Sequence, residues 1–175
     1  MNRRELLGAL AAATLSQAAR AQERAASVDW LALYNTHTRE TVTESFRDAS
    51  GFVPAALAKL DHVLRDHRSD ESHRMDPDLY VLLVDVAAAA GAEPRYEIIS
   101  GYRSPATNEK LRAGGGGQAQ RSQHLQGRAI DVRLKGVPTA KLRDLAMALK
   151  RGGVGYYERS DFVHLDTARV RYWTG

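Results

Sequence analysis

Three side chains with metal-ligand chemistry stand out in the C-terminal half of the chain: His124, Asp131 and His164. The first two lie in RSQHLQGRAIDVR (Arg121 to Arg133) and the third in FVHLD (Phe162 to Asp166). Imidazole nitrogen and carboxylate oxygen both bind a divalent zinc ion, and a catalytic zinc takes three protein ligands and keeps a fourth position for water. The His-x6-Asp spacing lets a loop ligand fold back over a strand ligand, with Gly127 turning the chain between them. Asp131 sits in an apolar run (Ala129, Ile130, Val132) that reads as the start of a buried strand. In FVHLD the period of two puts Phe162, His164 and Asp166 on one strand face, with Val163 and Leu165 on the other. Residue type and spacing alone leave two readings open, a metal centre or a surface histidine among ordinary polar residues.

The frame for these residues is one domain, since 175 residues with the N-terminus set aside still bury a sizeable core. Residues 1–21 read as an export signal: Arg3 and Arg4, a short apolar run from Leu6 to Leu15, and the small-x-small site Ala19-Arg20-Ala21. The Arg pair followed by x-Leu-Leu is also similar to a twin-arginine signal. The apolar run is too short to span a bilayer, so a mature chain of residues 22–175 is expected without stable membrane insertion. Absence of cysteine removes disulfides and thiol chemistry together. The net charge of +4 falls to +2 without the signal, too mild an excess for a nucleic-acid footprint.

The elements follow in order. Val28 to Phe46 alternates around the polar NTHTRE and predicts a hairpin at the sheet edge, with His37 exposed in its turn. Val53 to Arg65 has helix spacing; His62 falls on its surface, and His67 and His73 read as solvated residues of a charged linker. Asp76 and Pro77 start a buried helix from Leu79 to Ala90 that Gly91 ends. Tyr96, Ile98 and Ile99 form a strand leading into SGYRS, where Gly101 lets the chain bend and present Arg103 at a strand end. From residue type alone, Arg103 reads as a surface ion-pair partner. Ser104 and Pro105 open a short helix that stops at Gly114 to Gly117, read as a mobile loop because no Lys-Ser/Thr follows to make a phosphate site. A strand through Leu134, an amphipathic helix from Pro138 and a return strand at GGVGYY complete the chain, with Tyr156 and Tyr157 read first as core tyrosines and a place lining the site as the alternative for either. These elements predict an α+β fold with a central, mostly antiparallel sheet and flanking helices.

SQHLQGRAID, preceded by SGYRS (Ser100 to Ser104) and followed by GGVGYY (Gly152 to Tyr157) and FVHLDT, resembles the LAS-type zinc peptidases of bacterial cell walls. More narrowly it resembles the murein endopeptidase K (MepK-like) family, over nearly the whole chain from NTHTRE to RYW. The resemblance implies a fold like that of hedgehog and the D-alanyl-D-alanine peptidases. It implies one Zn2+ per chain on His124, Asp131 and His164, with Arg103 stabilising the oxyanion of a tetrahedral intermediate. It further implies hydrolysis of peptide crosslinks in peptidoglycan, those between diaminopimelate residues among them, in the periplasm. Two carboxylates are candidates for the general base. Asp161 stands three residues before His164, where the dipeptidases of this group carry a glutamate, and Asp166 shares a strand face with His164. Asp166 is the first candidate, with an orienting role for it as the alternative. Other readings are a D-alanyl-D-alanine carboxypeptidase or dipeptidase, and a non-catalytic zinc-containing peptidoglycan-binding module.

Overall fold

Alternating apolar residues make Asp29–Asn35 (β1) and Thr41–Asp48 (β2) an antiparallel pair around a turn at 36–38, the hairpin expected there. It is not at the edge. A two-residue strand, Gly51–Phe52 (β3), lies outside β2, and β1 pairs on its other side, in parallel, with Arg95–Ser100 (β4). Leu31 and Leu33 of this interior strand are fully buried. The computed structural model describes residues 29–115 and 119–175. The expected signal at 1–21 lies outside these, as do Gly116 and Gly117 of the glycine run.

The remaining strands are Ala129–Leu134 (β5), Gly153–Tyr157 (β6), Phe162–Asp166 (β7) and Arg171–Thr174 (β8). All eight form one sheet in the order β3-β2-β1-β4-β5-β7-β6-β8. Only β1–β4 and β6–β8 pair in parallel, so the fold is α+β with a mostly antiparallel sheet.

Among the described residues four helices accompany it: Pro54–Val63 (α1), Pro77–Ala90 (α2), Pro105–Ala113 (α3) and Thr139–Leu149 (α4). The first three carry proline at the start, where its missing N–H costs nothing. Asp76 caps α2 by accepting from Asp78 N at 3.1 Å, and Gly91 closes it in the left-handed region at φ 66°. Leu79, Leu83 and Val86 of α2 are fully buried, in one cluster with Leu31, Ile98, Ile130, Val132, Val163 and Leu165. Strand alternation therefore commits one sheet face to the core and turns the intervening residues of β5 and β7 to the other. Among the described residues no helix is long and apolar enough to cross a membrane.

The linker after α1 is more ordered than its charge implies. Asp66 is buried and accepts from Ser104 N at 2.9 Å and Arg68 N at 3.0 Å, tying the linker to the cap of α3. His67 is half-buried with its ring stacked 3.9 Å from that of His37, and burial lowers its pKa to about 4. His73 stacks on Tyr102 at 4.6 Å. His73 is exposed, as expected, while His67 is not a merely solvated residue, because the linker folds back against the segment that carries Arg103. His62 is exposed, as expected.

Candidate metal centre

The register of β5 on β7 sets Asp131 directly opposite His164, on the face turned away from the core. His124 reaches the same point from the 3-10 turn Gln123–Gln126, which Gly127 closes at φ 64°. No side chain fits at Gly127, where a Cβ would lie 2.6 Å from the Arg74 carbonyl oxygen. The three residues are buried and offer ligand atoms within 4.8 Å of one another. Asp131 Oδ1 is 2.9 Å from His164 Nδ1 and 3.3 Å from His124 Nε2, and the two nitrogens are 3.2 Å apart.

Each imidazole is held by its other nitrogen. His124 Nδ1–H donates to the Gly101 carbonyl at 2.7 Å, which leaves Nε2 as the lone-pair nitrogen. Gly101 can bring its carbonyl there because a Cβ would collide with the Leu64 carbonyl. His164 Nε2–H donates to Asp166 Oδ2 at 3.0 Å, leaving Nδ1 towards Asp131. Asp166 is wholly buried and also accepts from Gly153 N at 3.1 Å, Ala168 N at 3.0 Å and Arg171, whose guanidinium grips both oxygens at 2.9 and 2.6 Å. Arg171 in turn lies over the Trp173 ring at 4.9 Å, and that ring packs on His164 at 5.1 Å. Such outer partners fix the tautomer and aim the inner ligands.

The buried carboxylates set the charge balance of the cluster. Burial alone would raise the Asp131 carboxyl, but the adjacent His124 and His164 outweigh it and hold it well below the ordinary range. For His164 burial opposes protonation while Asp131 and Asp166 favour it, with a net upward shift. Two imidazole lone pairs and one carboxylate oxygen at one point suit a borderline divalent cation. With no fourth His, Cys, Asp or Glu in the group among the described residues, the site is of the open rather than the closed structural kind.

Around this point lies a cleft of about 320 Å³, lined also by Arg103, Arg121, Gln123, Tyr157, Phe162 and Trp173. Arg103 is 8% exposed, with Nη1 3.4 Å from Asn108 Oδ1, Nη2 4.0 Å from Asp131 Oδ2 and, among the described residues, no hydrogen-bond partner for Nε. A surface ion pair is not its environment. Burial lowers its pKa against the pull of Asp131, and its backbone N–H is fixed to the His124 carbonyl at 3.2 Å. It is a weakly engaged cation facing the ligand cluster.

The two carboxylates considered for proton transfer are not in the cleft. Asp166 stands behind His164 with both oxygens engaged. Asp161 is exposed in a turn at φ 50°, where its Oδ1 accepts from Thr139 Oγ1 at 2.6 Å and its Oδ2 lies 3.4 Å from Arg133 Nε. Sequence reasoning missed Arg171, Trp173 and Gln123 as site residues. The available signal was the alternation of Arg171 and Trp173 opposite Gly153 and Gly155, where β8 pairs with β6.

The family described as Peptidoglycan L,D-endopeptidase MepK matches residues 23–173. The chain is 40% identical to "Peptidoglycan L,D-endopeptidase MepK" of Escherichia coli strain K12 over 98% of its own length and 97% of that protein. The protein of the same name from Shigella flexneri gives the same figures. A "Probable peptidoglycan L,D-endopeptidase MepK" of Haemophilus influenzae is 42% identical over 83% of this chain and 78% of that one. No solved structure matches.

Proposed function

The chain belongs to the peptidoglycan L,D-endopeptidase MepK family, and from that premise we propose that it is a zinc-dependent endopeptidase that cleaves peptide crosslinks of peptidoglycan, including those between diaminopimelate residues. The observation that carries the zinc reading is the convergence of His124 Nε2, His164 Nδ1 and an Asp131 oxygen, each imidazole aimed by a hydrogen bond on its far nitrogen. These three residues would hold the ion, one per chain. Zinc, when bound, supplies Lewis acidity and makes water a competent nucleophile at neutral pH.

The chain's own residues do the rest. Arg103 donates to the scissile carbonyl oxygen as negative charge develops on it, from a wall where its guanidinium is shielded from water and only weakly held. Asp166 keeps His164 in the tautomer that leaves Nδ1 free, an orienting rather than a proton-accepting role. Asp161 stays with Thr139 and Arg133. An identity of 40% over nearly the full length of a protein named as an endopeptidase favours this reading over a terminal carboxypeptidase or a non-catalytic wall-binding module.

Family membership and the sheet face that gathers His124, Asp131 and His164 support reading the fold as the hedgehog and D-alanyl-D-alanine peptidase kind. The N-terminal pattern supports export of residues 22–175 to the periplasm, by the twin-arginine or the general secretory route, after removal of 1–21.

The test is digestion of purified, crosslinked muropeptide dimers by the mature chain with zinc or with chelator, alongside His124→Ala, with products identified by mass. Zinc-dependent conversion of dimers to monomers, lost in His124→Ala, is the expected result and identifies the crosslink cut. Intact dimers with zinc demonstrably bound would sink the reading.

A further inference from the structure

Registers across the last three strands map the cleft floor. Gly155 pairs with His164 on one side and Trp173 on the other, Gly153 pairs with Arg171, and Tyr157 pairs with Phe162. Residues paired across strands share a face, and that face repeats every second residue. Gly153, Gly155 and Tyr157 therefore form one row beside Phe162, His164 and Asp166. The two glycines leave room for Arg171 and Trp173 to lean across: a Cβ at Gly155 would lie 2.5 Å from Trp173 Cε2. Tyr157 is the side chain of this β6 row that stands up into the cleft.

Its ring is fixed. It stacks on Phe162 with centroids 4.5 Å apart and planes within 16°. Its hydroxyl oxygen is the acceptor for Trp173 Nε1–H at 3.1 Å. An indole nitrogen only donates, so the phenol oxygen is necessarily the acceptor in that contact and its own hydrogen points elsewhere. No acceptor for that hydrogen exists among the described residues, although the residue lines the cleft and lies close enough to Arg103 to interact with it electrostatically. The same indole packs on His164, so the metal-facing imidazole and the phenol are located by one shared support.

Building on the endopeptidase reading, we propose that Tyr157 is a catalytic residue: its hydroxyl donates a hydrogen bond to the scissile carbonyl oxygen as that oxygen becomes an oxyanion, together with Arg103. The chemistry asks for a donor with no competing acceptor, held by groups that do not reorganise during reaction. Tyr157 meets both conditions, since Phe162 fixes the ring plane and Trp173 fixes the oxygen. No proton leaves the phenol in this role.

The experiment compares wild type and Tyr157→Phe, both loaded with zinc, on crosslinked muropeptide dimers, together with zinc affinity by chelator competition and thermal melting. Phenylalanine keeps the stack on Phe162 and removes only the hydroxyl. The expected result is a kcat lower by on the order of a hundredfold, as for loss of one oxyanion donor, with KM, zinc affinity and Tm essentially unchanged. An unchanged kcat would overturn the assignment while leaving the endopeptidase reading intact. A parallel fall in kcat, zinc affinity and Tm would make Tyr157 a structural prop for Trp173 and equally overturn it. Zinc-loaded wild type that leaves dimers whole would remove the endopeptidase reading, and this role with it.

Discussion

The carboxylate of Asp166 takes hydrogen bonds from His164, Arg171 and two backbone N–H groups in a place with no exposure to water. A group so engaged directs its neighbour rather than moving protons. Truncation by Asp166→Ala frees His164 to change tautomer and tilt, so zinc affinity is expected to fall roughly 10- to 100-fold in chelator competition. Arg171→Met should fall in the same direction by less, and Arg171→Lys should recover part of it, because a lysine still supplies charge but not the two-pronged grip. If Arg171→Met binds zinc as wild type does, the support is confined to Asp166. His124, Asp131 and His164 were legible in sequence because few residue types bind metals and a family pattern frames them. The task of Asp166 was not. Strand alternation gives its face but not which nitrogen of His164 it meets, and Arg171 contacts it from a strand that few apolar residues announce.

Elements place these residues through small clearances. At Gly155 an added methyl meets the indole of Trp173, and in Gly153 it would meet Arg171 and Asp166. Gly155→Ala is therefore expected to cost about 1–3 kcal/mol, the range for overpacking, and to weaken zinc binding by displacing Trp173 from His164. Chemical denaturation and chelator competition would check both, and unchanged zinc affinity would show that Trp173 is dispensable for ligand placement. The segment bearing Arg103 is secured differently, by Asp66. Burial acts to raise that carboxyl, but hydrogen bonds from Thr107, Ser104 and Arg68 outweigh it and hold it well below the ordinary range. Below about pH 4, the ordinary aspartate value, the unfolded chain then binds a proton the folded chain refuses. Stability from Asp66 is complete above that pH and lost progressively beneath it. Asp66→Asn should be less stable at pH 7, with a flatter acid limb in melting curves between about pH 2 and 5. A wild-type acid limb as flat as that of Asp66→Asn would mean that Asp66 is not held below its ordinary pKa. The helices on either side of this link were readable from their caps, Asp76 with Pro77 and Ser104 with Pro105. The linker was not, since a run of charges says nothing of one aspartate buried beneath the next loop.

At the scale of the whole molecule, the three candidate ligands come from the turn before β5, from β5 and from β7, a span of 40 residues between His124 and His164. Unfolding separates them, so an ion held by this cluster would bind the folded chain far better than the unfolded one, and its binding energy would add to stability. At free zinc 100 times Kd the gain is about 2.7 kcal/mol. For a chain of this size each kcal/mol moves Tm by roughly 2–4 °C, so chelation should lower Tm by roughly 5–10 °C. The chain has no cysteine, so reducing agent should leave that shift unchanged and separate metal from disulfide effects. His124→Ala and Asp131→Ala should melt at one temperature with or without zinc. A wild-type Tm that ignores zinc while one ion is bound would mean that the unfolded chain holds the ion as well as the folded one, which a cluster drawn from three separate elements does not allow. Retention of the zinc-dependent shift in both variants would likewise put the ion elsewhere. Loss of the shift in the variants alone would tie the ion to the sheet face on which Arg103, Tyr157 and the cleft converge.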